Sequence, residues 1–170
     1  MQLKDKETFE IGDRPKGIKV LRGRLVFKKK RDQYGNIMKY KARWVVKGYE
    51  QLYGRDYDQT YAGVCKSVTW KIIIAMAALQ DWDIEQMDAV TTFLNSDIEG
   101  DVYMELPPGW GEVFSANVTN KVCKLRKGLY GLKQAPRLWQ KKLSETLVRL
   151  GFRPLHTDNC GISRPGQMVA

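Results

Sequence analysis

Histidine is almost missing from this chain, with one in 170 residues, and cysteine occurs three times. Cys65, Cys123 and Cys160 form no CxxC pair, which removes zinc ribbons and thioredoxin-type redox motifs. His156 and Cys160 stand four apart, but two ligands without partners make a poor zinc site. An odd number of scattered cysteines fits a reducing compartment. Apolar runs are short. The longest, IIIAMAAL from Ile72 to Leu79, falls far below the ~20 residues that span a bilayer, so no membrane partner is expected. The first ten residues, MQLKDKETFE, contain no apolar core of a signal peptide, so the expected location is intracellular, cytoplasmic or nuclear, and not secreted. Internal repeats and low-complexity linkers are also missing.

What is present is charge, unevenly placed. The net charge is +10. Residues 14–49 hold 13 Lys/Arg and one acid, and residues 121–153 hold 10 Lys/Arg and one acid. Between them residues 50–120 hold 12 acids and 3 Lys/Arg. Basic blocks attract phosphate backbones, with an affinity that falls as salt rises. Carboxylates set between basic walls suit metal-dependent phosphoryl transfer. A solvated basic surface is the plainer alternative.

The expected fold class is α+β, because strand and helix patterns are interspersed. Residues 19–31 and 37–49 alternate as strands, and DQYGN at 32–36 supplies the turn of a basic β-hairpin. Ser67 is placed to cap a helix over 68–80, whose apolar residues lie nearly all round and predict burial. Residues 82–88 alternate, with Trp82, Ile84, Gln86 and Asp88 on one face of a strand. A short turn or helix over 91–95, a strand over 101–106 stopped by PPG at 107–109, a loop over 111–120 and a strand over 122–126 follow. Pro136 opens a helix carrying Trp139, Leu143, Leu147 and Leu150 at helical spacing, and Gly151 ends it. A last strand starts at Cys160, with residues 164–167 as its turn.

Two strings carry chemistry. In QMDAVTTFLN (86–95), Asp88 closes a strand-like run and Phe93 follows five positions on, an arrangement that suits a metal-binding carboxylate beside a nucleotide pocket. An aspartate capping the turn at 90–93, and a core phenylalanine, are the alternatives. In LYGLKQAPRLW (129–139), a glycine precedes two polar residues and a helix start.

Together with VFKKKRDQYGNIMKYKARWVVKGYEQ, DYDQTYAGV, DVYMELPPGW and VCKLRKGLYGLKQAPRLW, these strings resemble the reverse transcriptase of copia-type LTR retrotransposons, from about Phe9 to Ser163. The resemblance implies a partial fingers and palm: residues 1–170 as one incomplete domain, about 14–66 fingers-like and about 67–163 mostly palm-like, with a helix-backed antiparallel sheet. It implies nucleotidyl transfer with Mg²⁺ (or Mn²⁺), an RNA template, a DNA primer and deoxynucleoside triphosphates. Asp88 matches the first catalytic aspartate, and the backbone carbonyl of Ala89 is a further metal ligand. Arg43 and Lys47 match positions near the triphosphate, where a planar guanidinium fork pairs with phosphate oxygens. Phe93 matches the aromatic gate that excludes a 2′-hydroxyl. Gly131 would let backbone approach the nucleotide, with Lys133 and Gln134 placed for polar contacts, while Trp139 is expected in the core. Lys28, Lys29, Lys30 and Arg31 are candidates for nucleic-acid contact. Thr92 departs from the alanine usual in the family.

The family completes its site with a hairpin of the form YxDD, and no such pair occurs before Ala170. A thumb, RNase H, integrase and protease are expected from other parts of a retrotransposon polyprotein. The expectation is therefore a segment inactive by itself, holding metal weakly or not at all. A non-catalytic basic nucleic-acid-binding remnant, or an inert product, are the other readings.

Overall fold

In the computed structural model, the described residues are 6–114, 118–164 and 167–169. The described residues form an α+β fold with three separate sheets and few helices. Strands β1 (Phe9–Asp13), β2 (Val20–Leu21), β5 (Tyr103–Glu105) and β6 (Lys121–Leu125) form a four-stranded sheet in the order β1-β6-β5-β2. The β1–β6 and β5–β6 pairs are antiparallel, and β2–β5 is parallel. β6 is interior, and Val122, Cys123 and Leu125 on it are almost fully buried. Cys123 and Leu125 join Leu21, Trp44, Val46, Leu94, Met104, Leu129, Leu132 and Ala135 in the core. Burial pushes the Cys123 thiol up to about 12, so it packs as a small apolar side chain.

β3 (Gly23–Arg31) and β4 (Ile37–Val46) make the expected hairpin as a sheet of their own. The Asp32 carboxylate accepts the N–H groups of Tyr34 and Asn36, both at 2.9 Å, which shapes the turn. The two expected strands are shorter than predicted for tertiary reasons. Arg22 leaves the strand pattern to bind Glu50, its Nε donating at 2.7 Å. β4 stops before the tight turn Gly48–Glu50, because the Gly48 backbone lies against the Gly131 carbonyl.

Helix α1 (Ser67–Gln80) forms nearly where expected but not as a core helix: only Thr69 and Ala77 on it are buried. Trp70, Ile72, Ile74 and Leu79 face outward. Its first turn is held from outside. Ser67 makes no cap; instead the Asp158 carboxylate on β8 (Asp158–Arg164) accepts Lys66 N–H and Thr69 Oγ1, both at 2.8 Å. The predicted strand over 82–88 is also corrected. These residues run exposed, without a ladder partner among the described residues, and a strand pattern without a partner cannot close its hydrogen bonds.

Short helix α2 (Trp110–Phe114) replaces the start of the predicted loop, since Trp110 packs edge-on against Phe9 at 5.4 Å. Residues 115–117 of that loop lie outside the described residues. Helix α3 (Ala135–Arg149) starts with Pro136 in its first turn, and Gly151 beyond it has φ +88°. α3 packs on the turn Thr92–Asn95. Its Trp139 is half-buried, while Leu143 and Leu150 are exposed. β7 (Arg153–Leu155), β8 and β9 (Gln167–Val169) form the last sheet. β8 starts two residues earlier than predicted, because Asp158 is recruited to α1. Arg164 pairs with Gln167, and Pro165 and Gly166 of the expected turn lie outside the described residues. No helix among the described residues is long and apolar enough to cross a membrane.

Candidate nucleotide and nucleic-acid site

Leu129 and Leu132 are core anchors, so the turn between them is forced to the surface of the core with Tyr130 and Gly131 at its tip. Val46 N–H donates to the Tyr130 carbonyl at 2.8 Å, fastening the turn to the end of β4. Gly131 has φ +93°, and a Cβ there would meet the Val46 carbonyl oxygen at 2.1 Å. Only glycine fits so close a backbone crossing.

Tyr130 joins the two predicted elements. Its ring lies edge-on to Phe93 at 4.8 Å, and the Arg43 guanidinium sits 5.5 Å from its centroid. Arg43 makes no ion pair among the described residues. Phe93 is held by its backbone: its carbonyl accepts Ser96 N–H at 3.2 Å and Ser96 Oγ at 2.9 Å. Leu94 beside it is buried in the core.

Asp88 is exposed. Arg43, burial, Lys30 and Lys39 hold the Lys41 ammonium below the ordinary lysine value, and Asp88 acts in the opposite sense. Thr92 Oγ1 donates to the Ala89 carbonyl at 3.0 Å. No group of three His, Cys, Asp or Glu able to hold a metal ion occurs among the described residues. They therefore do not by themselves fit a two-magnesium centre.

Lys133 and Gln134 turn toward a neighbouring loop. Lys133 N–H donates to Gln51 Oε1 at 2.8 Å, and its Nζ donates to the Tyr57 hydroxyl at 3.1 Å. Gln134 is 6% exposed; it accepts from Gln51 Nε2 at 2.9 Å and donates to the Asp56 carbonyl at 3.1 Å. Lys47 donates its N–H to the Arg22 carbonyl at 2.9 Å, and its ammonium helps hold Glu50 ionised, after the larger effect of Arg22. The hairpin cations divide by register. Lys28 is opposite Lys41 and Lys30 opposite Lys39, on the face of Arg43, whereas Lys29 is opposite Tyr40 on the other face. Arg31 follows a register shift, and its Nη1 donates to the Gly35 carbonyl at 2.6 Å.

Sequence reading missed Tyr130, although it stands inside LYGLKQAP, and Lys39 and Lys41, which period-two spacing places in line with Arg43. A hollow of ≈ 730 Å³ lies elsewhere, lined by Phe9, Trp110, Lys124 and Arg126 among others. Charges in it are paired, as in Arg126–Glu10 at 2.5 Å, Lys124–Asp101 at 2.6 Å and Lys127–Asp97 at 2.5 Å, and Glu7 also lines it.

The structure thus brings Arg43, Tyr130 and Phe93 together beside the Gly131 turn. The family model described as reverse transcriptase (RNA-dependent DNA polymerase) matches residues 6–166, and the chain belongs to that family. It is 40% identical over 158 residues to the retrovirus-related Pol polyprotein from transposon TNT 1-94 of Nicotiana tabacum, covering 93% of this chain and 12% of the polyprotein. It is 42% identical over 138 residues to the Pol polyprotein from transposon RE1 of Arabidopsis thaliana, covering 81% of this chain and 9% of that one. The chain thus spans about a tenth of the length of these relatives. No solved structure matches it.

Proposed function

We propose that this chain is the nucleotide-binding segment of a retrotransposon RNA-directed DNA polymerase, with the hairpin as fingers and most of residues 67–163 as palm. The observation that carries the reading is the contact chain Arg43–Tyr130–Phe93. Arg43 pairs with triphosphate oxygens, since its fork has no carboxylate partner to satisfy it. Phe93, fixed from behind by Tyr130, closes the space a 2′-hydroxyl would need. Gly131 lets its turn close on the end of β4, which holds Tyr130 beside Arg43. Lys133 and Gln134 act as positioning residues, locking the turn to the loop at 51–57. Asp88 would be one carboxylate ligand of a divalent metal, and the Ala89 carbonyl a further one. Further carboxylates must come from elsewhere in a polyprotein for turnover, so no primer extension is expected from these 170 residues with Mg²⁺.

The test is binding of dUTP against UTP, which differ only at the 2′ position. The chain is expected to prefer dUTP. Phe93→Ala removes the preference, and Arg43→Ala weakens both by about tenfold or more, the equivalent of one charge-assisted hydrogen bond. Equal affinity for the two nucleotides, or indifference to Arg43→Ala, overturns the reading.

A further inference from the structure

No sequence signal singles out Gln51, yet it is 3% exposed and its side chain is engaged at both ends of the amide. It follows the tight turn Gly48–Glu50, and its N–H donates to the Gly48 carbonyl at 3.1 Å. Its Oε1 accepts the Lys133 N–H at 2.8 Å. Its Nε2 donates to Gln134 Oε1 at 2.9 Å and reaches the Asp56 carbonyl at 3.5 Å. A backbone N–H can only donate, so Lys133 dictates which way the Gln51 amide faces. The Gln51 nitrogen then requires the Gln134 oxygen, which leaves the Gln134 nitrogen for the Asp56 carbonyl at 3.1 Å. One backbone donor thereby orients two buried amides.

This network holds the turn that carries Tyr130. Val46 N–H fastens the turn at the Tyr130 carbonyl, and Gln51 fastens it further on, at the Lys133 N–H. The loop behind Gln51 is itself braced: the Asp56 carboxylate accepts Leu52 N–H at 2.8 Å, and Gly54 N–H donates to the Tyr57 carbonyl at 3.0 Å. An unbranched apolar side chain fills the same space, so packing does not account for an amide here. What a satisfied polar network adds in a core is direction and rigidity. Without the Gln51 oxygen the Lys133 N–H loses this partner, and of the two fastenings the turn keeps one.

We infer that Gln51 is a positioning residue for nucleotide selection: by holding the Lys133 N–H it keeps Tyr130 edge-on to Phe93, and so sets how much room the Phe93 ring leaves at the 2′ position. Gln51 itself touches no nucleotide; it acts through the turn. The inference rests on the reading above for what Phe93 does, but not for what holds Tyr130.

The experiment reads the ring and the nucleotide separately. The full chain is labelled with 3-fluorotyrosine, and the fluorine resonance of Tyr130 is assigned by its loss in Tyr130→Phe. Gln51→Met fills the space without an acceptor, and Gln51→Asn keeps the amide but draws it back by one methylene. Both are expected to move the Tyr130 resonance in the absence of nucleotide, and to lose the preference for dUTP over UTP. Gln51→Glu keeps an oxygen for the Lys133 N–H, and the Gln134 amide can turn over to donate to it. That variant is expected to restore both the resonance and the preference. Asp158→Asn, which loosens the chain at α1, is the control for lost stability and is expected to change neither. Circular dichroism checks folding; should Gln51→Met unfold, Gln51→Asn against Gln51→Glu carries the same contrast. A Tyr130 resonance unmoved in the folded Met and Asn variants, or moved as far by Gln51→Glu or Asp158→Asn, overturns the inference. So does a dUTP preference that survives while the resonance moves. Failure of the Phe93 reading looks different: the unaltered chain then binds dUTP and UTP equally, with the Tyr130 resonance still answering to Gln51.

Discussion

At residue 131 the chain has no choice of side chain. Gly131 and Gly48 bring two distant backbone segments into contact, one after β6 and one after β4. Gly131→Ala combines strain at positive φ with overlap on the Val46 carbonyl, and is expected to lower stability by about 2–4 kcal/mol in denaturant titration. Gly12→Ala, with nothing within 4 Å of its Cβ, is the control and should shift stability by less than about 1 kcal/mol. From LYGLKQAP the glycine reads as a place where backbone approaches a nucleotide; its contact with the Val46 carbonyl is not legible there, because 85 positions of chain separate them and no local pattern encodes the pairing.

Among the elements, α1 shows how a helix can be set by its sequence and yet placed by another strand. Its span follows from propensity, but its anchor is Asp158, whose carboxylate accepts hydrogen bonds from Lys66, Thr69 and the Cys160 backbone. The Lys66 N–H first, then the Thr69 hydroxyl, hold the Asp158 carboxyl well below the usual range. A carboxylate with a depressed folded pKa stabilises the fold fully above its unfolded value of about 3.9, and that contribution is lost as pH falls below it. The Tm of the chain is therefore expected to drop on acidification from about pH 4 downward. Asp158→Asn should lower Tm at neutral pH and flatten the acid dependence. An unchanged acid slope in Asp158→Asn would show that Asp158 does not anchor α1. Periodicity could not find this anchor, since Asp158 reads as an ordinary polar residue near a strand start.

Over the whole molecule, much apolar surface is left uncovered among the described residues. Val68, Trp70, Ile72 and Leu79 on α1 and Trp82, Ile84, Met87 and Val90 after it are all exposed. Together they make apolar surface of the kind that marks an interaction face or drives association. Ile72→Lys with Leu79→Lys is expected to reduce dye binding by exposed apolar surface and to reduce concentration-dependent light scattering, with little change in Tm. A drop in Tm of several degrees would instead show that these side chains already pack. The same surface explains why two sequence expectations went astray. Both the buried helix over 68–80 and the strand over 82–88 were inferred from patterns that require a facing element, and among the described residues no ladder partner lies against 82–88.

By itself the sequence determined the α+β class, the hairpin with its DQYGN turn, the helix over 135–149 and the reverse transcriptase family, because each depends on local chemistry or on strings read in order. The tertiary structure alone decided that Tyr130 stands between Arg43 and Phe93, that Gln134 is buried against Gln51, and that Lys28, Lys30, Lys39 and Lys41 share one hairpin face while Phe27, Lys29 and Tyr40 share the other. Those facts depend on strand register and on backbone crossings between distant segments. A one-residue slip in either would reverse them without altering any local preference.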